Sequence, residues 1–255
     1  MNFVIETTGL TRVFGNVRAV DGLDLRVEGG KFFGFLGPNG AGKSTTIKML
    51  TGLLAASSGT MRVLGEDLSN EDRAREVRRR IGVMPEHLGL FDNLTGWEYL
   101  TFIGRMYLLP PAMVRERCDE LLVMMGLENE EKKLTLEYSH GMKKKLALAA
   151  ALLPGPDLLF LDEPFEGVDA VSSRVLRDIL RRCVKRGATV FLTSHVLEIV
   201  EKLCSDVGII ANGKMVYQAT MDEVRQTGSL EERFIAAVGG DQIETQRLSW
   251  LAEGS

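Results

Sequence analysis

Cysteine is scarce in this chain of 255 residues. Cys118, Cys183 and Cys204 are odd in number, far apart and free of any C-x-x-C pair, which excludes a disulfide framework and the usual zinc spacings. Long apolar runs are also missing. The most hydrophobic stretch, Leu146 to Leu161, is interrupted by Pro154, Gly155, Pro156 and Asp157. It falls short of the ~20 apolar residues that a bilayer span requires, so no membrane-crossing segment is expected. Met1 to Gly9 carries Glu6 and lacks the basic-then-apolar layout of a secretory signal, which points to a chain made and kept in the cytosol. No charge of one sign dominates. Lys and Arg number 31 against 35 Asp and Glu, a net −4 that offers no blanket attraction to nucleic acid or anionic lipid. Internal repeats and low-complexity tracts are absent.

What remains is 45% hydrophobic and 26% charged, the balance of an ordinary globular chain with room for one sizeable domain or two small ones. Strand-like segments alternate with helix-like ones, the pattern of an α/β domain with a largely parallel sheet. Phe3 to Thr7 and Leu23 to Val27 flank hairpin-like loops and predict a small antiparallel sheet. Lys31 to Leu36, Ile81 to Met84, Leu158 to Leu161, Ala188 to Thr193 and Val207 to Ile210 complete the strand set, and the last three read as parallel and buried. Between Glu86 and Pro154 only helix signals occur. Thr95-Gly-Trp-Glu98 reads as a capping box that opens a helix to about Leu109, Pro110-Pro111 restarts a helix to about Met125, and another begins near Ser139. A further capping box, Ser229-Leu-Glu-Glu232, opens a short helix to about Val238. Two basic clusters stand out: Arg73, Arg75, Arg78, Arg79 and Arg80, read as a solvated helix face, and Lys143, Lys144 and Lys145.

Gly37-Pro38-Asn39-Gly40-Ala41-Gly42-Lys43-Ser44-Thr45 follows an apolar strand and precedes the helix-like Thr46 to Leu50. It satisfies G-x-x-x-x-G-K-[ST] in the strand–loop–helix setting, and this composition would give such a match by accident about 0.01 times. The glycines let successive backbone N–H groups turn toward phosphate oxygens, and the helix N-terminus adds positive potential. Lys43 would reach the β- and γ-phosphates, and the Ser44 hydroxyl would ligate Mg²⁺. Leu158-Leu-Phe-Leu161-Asp162-Glu163 is an apolar strand ending in two acids, a costly place for carboxylates unless a cation or a reaction uses them. Asp162 suits a Mg²⁺ partner, and Glu163 is placed to polarise a water in line with the γ-phosphate.

With these motifs in this order the chain resembles the ATP-binding cassette (ABC) ATPase family, from Val4 to about Val238. The resemblance implies a P-loop NTPase (RecA-like) core over residues 1–240, with an N-terminal antiparallel β subdomain, a helical subdomain inserted at about 87–154, and a polar tail at 241–255. Where the family carries its L-S-G-G-Q signature, this chain reads Tyr138-Ser139-His140-Gly141-Met142; Ser139 and Gly141 match and the other three do not. In the family this helix start meets the γ-phosphate held by the opposite subunit. His140, with its bulky ring, either contacts that nucleotide or faces solvent. His195 matches the family's switch histidine, and Asp169 in Gly167-Val168-Asp169 matches the D-loop aspartate. Phe14, 29 residues before Lys43, stands where the family stacks an aromatic on adenine, with core packing as the rival reading. One departure lies after Met84, where the family's Pro-Gln is replaced by Pro85-Glu86. A carboxylate there has the same reach and could also serve Mg²⁺.

The implied function is an ATP-hydrolysing subunit that dimerises head to tail around ATP and Mg²⁺, a homodimer having two equivalent sites. It would drive a separate transmembrane permease docked near Glu86 to Trp97, and so sit on the inner face of the cell membrane. Leu90 to Trp97 and Ser229 to Ile235 look like the branch that exports drugs, lipids or polysaccharides. Two other readings stay open: a non-transport cassette acting on nucleic acid or a soluble assembly, against which the negative charge counts, and a slow-hydrolysing nucleotide-gated clamp.

Overall fold

The structure, a computed structural model, describes residues 2–130 and 132–239; the polar tail expected at 241–255 lies outside the described residues. In chain order the elements are β1 (Phe3–Phe14), β2 (Val17–Glu28), β3 (Phe32–Leu36), α1 (Lys43–Leu50), β4 (Ser58–Val63), β5 (Glu66–Asp67), α2 (Glu71–Arg80) and β6 (Ile81–Met84). There follow α3 (Gly96–Met106), α4 (Pro111–Met125), α5 (His140–Leu152), β7 (Leu158–Leu161), α6 (Ala170–Lys185), β8 (Thr189–Thr193) and α7 (Leu197–Leu203). The last four are β9 (Asp206–Ala211), β10 (Lys214–Thr220), α8 (Met221–Thr227) and α9 (Leu230–Val238).

The strands divide into two sheets. One is antiparallel, in the order β2-β1-β4-β5. The other has the order β10-β9-β3-β8-β7-β6, parallel throughout except for β10 at its edge. Every residue of β3, β7 and β8 is buried, which is why these segments read as unbroken apolar runs. Alternation then sends their side chains to opposite faces. Phe33, Phe35, Phe160 and Phe191 join the cluster shared with α1 and the antiparallel sheet. Phe32, Leu36, Leu159, Leu161 and Leu192 join the cluster shared with α3, α4, α5 and α6. Phe191 anchors the first face, with ring centroids 5.4, 5.2 and 5.6 Å from Phe33, Phe35 and Phe160. Among the described residues, three α-helices lie between β6 and β7, in line with the capping signals. The Thr95–Glu98 box is formed in both directions, Pro111 occupies the first turn of α4, and the Ser139 side chain caps α5.

Several expectations need correction. The strands read as Phe3 to Thr7 and Leu23 to Val27 each run 12 residues, because bulges between them absorb the breaks in alternation. The helix read from Thr46 begins at Lys43. β4, β5 and β10 were not expected as strands. Among the described residues of the insertion, extended pairing is confined to a single bridge between Thr95 and Leu134, in keeping with the helical reading. All three cysteines are free, and no described helix is long and apolar enough to cross a membrane.

Candidate functional site

Because β3, β6, β7 and β8 are parallel, their C-terminal ends meet along one edge of the sheet, and the residues that follow them converge however far apart they lie in the chain. The loop Gly37 to Gly42 follows β3. Gly42 has φ 108°, and a Cβ there would lie 2.4 Å from the Ala19 carbonyl oxygen; one on Gly37 would lie 2.3 Å from that of Ile210. Only glycine fits either place. α1 springs from this loop with no side-chain cap and no acid in its first turn, so its N-terminal N–H groups are left for an anion. Lys43 folds back over the loop and donates to the carbonyls of Gly37 at 2.7 Å and Pro38 at 3.2 Å. Both acceptors are backbone groups, so the ammonium charge is left for phosphate to neutralise. Ser44 and Thr45, in the first turn, are half-buried.

Asp162 and Glu163 follow β7 and are both buried. The Thr193 hydroxyl at the end of β8 donates to Asp162 Oδ1 at 2.5 Å and accepts the Glu163 N–H at 3.0 Å. Met84, at the end of β6, accepts the Asp162 N–H at 2.8 Å. Glu163 adopts φ 50°, a left-handed conformation uncommon outside glycine, which is sustained only where the surroundings hold it. Its Oε2 lies 2.9 Å from His195 Nδ1 and accepts the His195 backbone N–H at 3.3 Å. An ionised carboxylate can only accept, so Nδ1 carries the proton in this pair. Burial pushes the Glu163 carboxyl above the usual carboxylate range, against the opposing pull of His195 and Lys43. A carboxylate of raised basicity, oriented by a histidine, is suited to deprotonate or align a water.

Among the described residues no three His, Cys, Asp or Glu side chains converge as a metal centre. A divalent cation here would instead rely on the Ser44 hydroxyl, the Asp162 carboxylate and phosphate oxygens, the mixed oxygen set that suits Mg²⁺. Glu86 lies two residues beyond β6, exposed, with its charge felt at Lys144. Phe14, at the end of β1, is 46% exposed with the Arg12 guanidinium 4.6 Å from its ring centroid. It therefore packs no core, and its ring is open to a planar ligand.

Ser139 Oγ accepts the Met142 N–H at 3.2 Å, and Gly141 sits half-buried in the first turn of α5, facing Asp169. Asp169 caps α6, accepting the N–H groups of Val171 at 3.0 Å and Ser172 at 2.9 Å. Hydrogen bonding from Ser172, then Val171, holds its carboxyl below the usual range. The His140 ring is exposed and lies over Gly167, where a Cβ would stand 2.8 Å from it. Thus the start of α5 lies beside the segment 167–169 of its own chain.

Two residues of this site went unforeseen. Thr193 joins both acids, and the register pairing Leu161 with Leu192 brings it there. Lys144, from the middle of the lysine run, is 1% exposed and donates to the Glu163 carbonyl at 2.5 Å. Burial lowers its pKa, opposed by the carboxylates of Glu166, Glu163, Glu86 and Asp162.

Known proteins resemble this chain in sequence and fold. The family model described as ABC transporter matches residues 20–166, more than half of the chain. The daunorubicin/doxorubicin resistance ATP-binding protein DrrA of Streptomyces peucetius is 43% identical over 96% of this chain and 74% of its own length. The bacitracin transport ATP-binding protein BcrA of Bacillus licheniformis is 39% identical over 89% of this chain and 72% of its own. A solved ATP-binding subunit of an ABC transporter superimposes with a TM-score of 0.85 at 29% identity, covering 92% of this chain and 99% of that one. The chain thus belongs to the ABC transporter family as an ATP-binding, ATP-hydrolysing subunit.

Proposed function

We propose that this chain hydrolyses Mg²⁺-bound ATP between two copies of itself arranged head to tail, and that the cycle drives a separate membrane permease for export. The observation that carries the reading is the convergence at one sheet edge of the uncapped loop–helix start, the buried Asp162 and Glu163, and His195 at 2.9 Å from Glu163. In this scheme Gly37 to Thr45 bind the phosphates, with Lys43 swinging from its own carbonyls to the β- and γ-oxygens. Phe14 stacks on the base, using the ring face away from Arg12. Ser44 and Asp162 would hold Mg²⁺, with the Glu86 carboxylate as a further candidate, and the ion would supply charge that neutralises what develops on the phosphate oxygens. Glu163 takes the proton of the attacking water while His195 holds its carboxylate in place. Ser139 and the N–H of Gly141 meet the γ-phosphate bound by the second copy.

Export is supported by the relatives, whose names tie them to daunorubicin/doxorubicin resistance and bacitracin transport. The permease contact falls on apolar surface next to Glu86. There Phe91 and Phe102, both exposed, meet edge to face at 5.1 Å, with Leu88 and Leu90 half-buried beside them. The subunit then works at the inner face of the membrane.

Phosphate release and size-exclusion chromatography on the purified chain test this reading. The parent should hydrolyse ATP only with Mg²⁺. Glu163→Gln should lose hydrolysis and elute as a dimer with ATP and as a monomer without it. Unchanged hydrolysis in Glu163→Gln, or a monomer under every nucleotide condition, would refute the scheme.

A further inference from the structure

A buried ammonium has to be justified by what it bonds, because removing that charge from water is unfavourable unless strong acceptors receive it. Lys143 and Lys145 are half-buried, whereas Lys144 is 1% exposed. Helical periodicity sets it on the inward stripe with Leu148 and Ala151, both buried. Its ammonium reaches the carbonyl oxygen of Glu163 at 2.5 Å.

That carbonyl belongs to the residue whose backbone is held at φ 50°. Three side chains grip this one residue. The Thr193 hydroxyl takes its N–H, Lys144 takes its C=O, and His195 takes its carboxylate. Fixing the groups on both sides of the Glu163 Cα fixes the direction of its Cα–Cβ bond, and hence where the carboxylate can point. Of the three, Lys144 alone comes from α5, the helix that opens with His140 and Gly141. Lys144 lies four residues along from His140 on the same helix face, so a shift of the α5 N-terminus is carried along a rigid rod to Nζ.

We propose that Lys144 is a positioning residue that ties the signature helix to the backbone of Glu163, so that engagement of α5 by nucleotide on the second copy sets the aim of the base in the first. The inference rests on the reading of Glu163 as the base. Lys144 touches neither substrate nor metal in this scheme. Its loss therefore affects turnover and leaves nucleotide binding alone.

The experiment compares Lys144→Met, Lys144→Arg, the control Lys143→Met and the parent by melting temperature, affinity for a fluorescent ATP analogue, kcat and KM. Hydrogen exchange of the peptide spanning residues 162–167 is followed in each. Lys144→Met should lower kcat by about 100-fold, as a misaimed catalytic group does. Its KM and analogue affinity should stay within about twofold of the parent, and its 162–167 peptide should exchange faster. Lys144→Arg, which restores a charged donor, should recover at least about tenfold of the lost kcat. Lys143→Met should match the parent. A folded Lys144→Met with parent-like kcat and exchange would overturn the proposal, as would an Arg variant that binds nucleotide but recovers nothing. Should Lys144→Met not fold, Lys144→Gln replaces it; its amide stops one atom short of the ammonium, and a loss of about tenfold in kcat at unchanged affinity is expected. Parent-like kcat in that variant would overturn the proposal equally. Glu163→Gln is run alongside. If it still hydrolyses ATP, the reading of Glu163 falls and takes this inference with it. If it is inactive while Lys144→Met turns over normally, only the inference falls.

Discussion

Thr193→Val replaces a hydroxyl by a methyl of nearly the same size at a position with 0% exposure, so packing is preserved and only hydrogen bonds are lost. Two go together: the 2.5 Å bond to Asp162 Oδ1 and the 3.0 Å bond from the Glu163 N–H. The first is charge-assisted, worth roughly 1.5–3 kcal/mol, and the second leaves a buried donor unmade at a cost of roughly 1–3 kcal/mol. The two share one oxygen and are not additive, so about 3 kcal/mol is the expected loss of stability. For a chain of this size that lowers the melting temperature by about 6–12 °C. Thr51→Val is the matched control. Thr51 is 2% exposed and its hydroxyl donates to the Ile47 carbonyl at 2.8 Å, but that carbonyl also receives the Thr51 N–H at 2.9 Å. Nothing is left unpaired, and the cost should stay below about 1 kcal/mol. Thermal denaturation of both variants in nucleotide-free buffer is the assay. If the two melt within about 2 °C of each other, the Thr193 hydroxyl does not organise the acid pair and the reasoning fails.

Phe14→Ala should weaken ATP binding about tenfold, since losing one base–aromatic stack costs roughly 1–3 kcal/mol. The melting temperature should barely move because the ring is 46% exposed; fluorescence titration with an ATP analogue checks the first and calorimetry the second, and unchanged affinity would remove Phe14 from the site. Glu86→Gln should raise the Mg²⁺ concentration for half-maximal hydrolysis roughly tenfold, the size of effect seen when a group next to a metal ligand is altered. Hydrolysis measured across a Mg²⁺ series decides it, and an unchanged curve with an unchanged maximal rate would exclude Glu86.

The parts of the fold that could be read from sequence share one property: their local pattern and their tertiary environment agree. β3, β7 and β8 are buried on both faces and are written as continuous apolar runs. α3 and α9 announce themselves by capping boxes that form as written. β4, Ser58-Gly-Thr-Met-Arg-Val63, shows no such agreement. It is mostly exposed and exists because β1 offers it a pairing edge, a fact of the other strand's sequence. β10 is different again, since its signal was present. Asn212 and Gly213, at φ 49° and 78°, form the two-residue hairpin loop that joins it to β9, and Asn-Gly is the strongest short-range sign of such a turn.

The same distinction governs the site. The phosphate loop is local, its glycines and lysine falling within seven residues that fold as one turn, so its geometry follows from its spacing. The acid pair is half local. Its place at a strand end is legible, but Thr193, which joins its two members, lies 31 residues from Asp162 and arrives only through strand register. Lys144 was hidden for a third reason: a run of three lysines invites reading as one solvated patch, although successive helical residues point about 100° apart and cannot share an environment. One member of such a run must follow the apolar stripe if the helix is buried there. Leu146 to Ala151 are all buried, so the apolar pattern that follows does not say which of the three lysines it is. A charge on the buried face of a helix calls for a buried acceptor, and the Glu163 carbonyl supplies it.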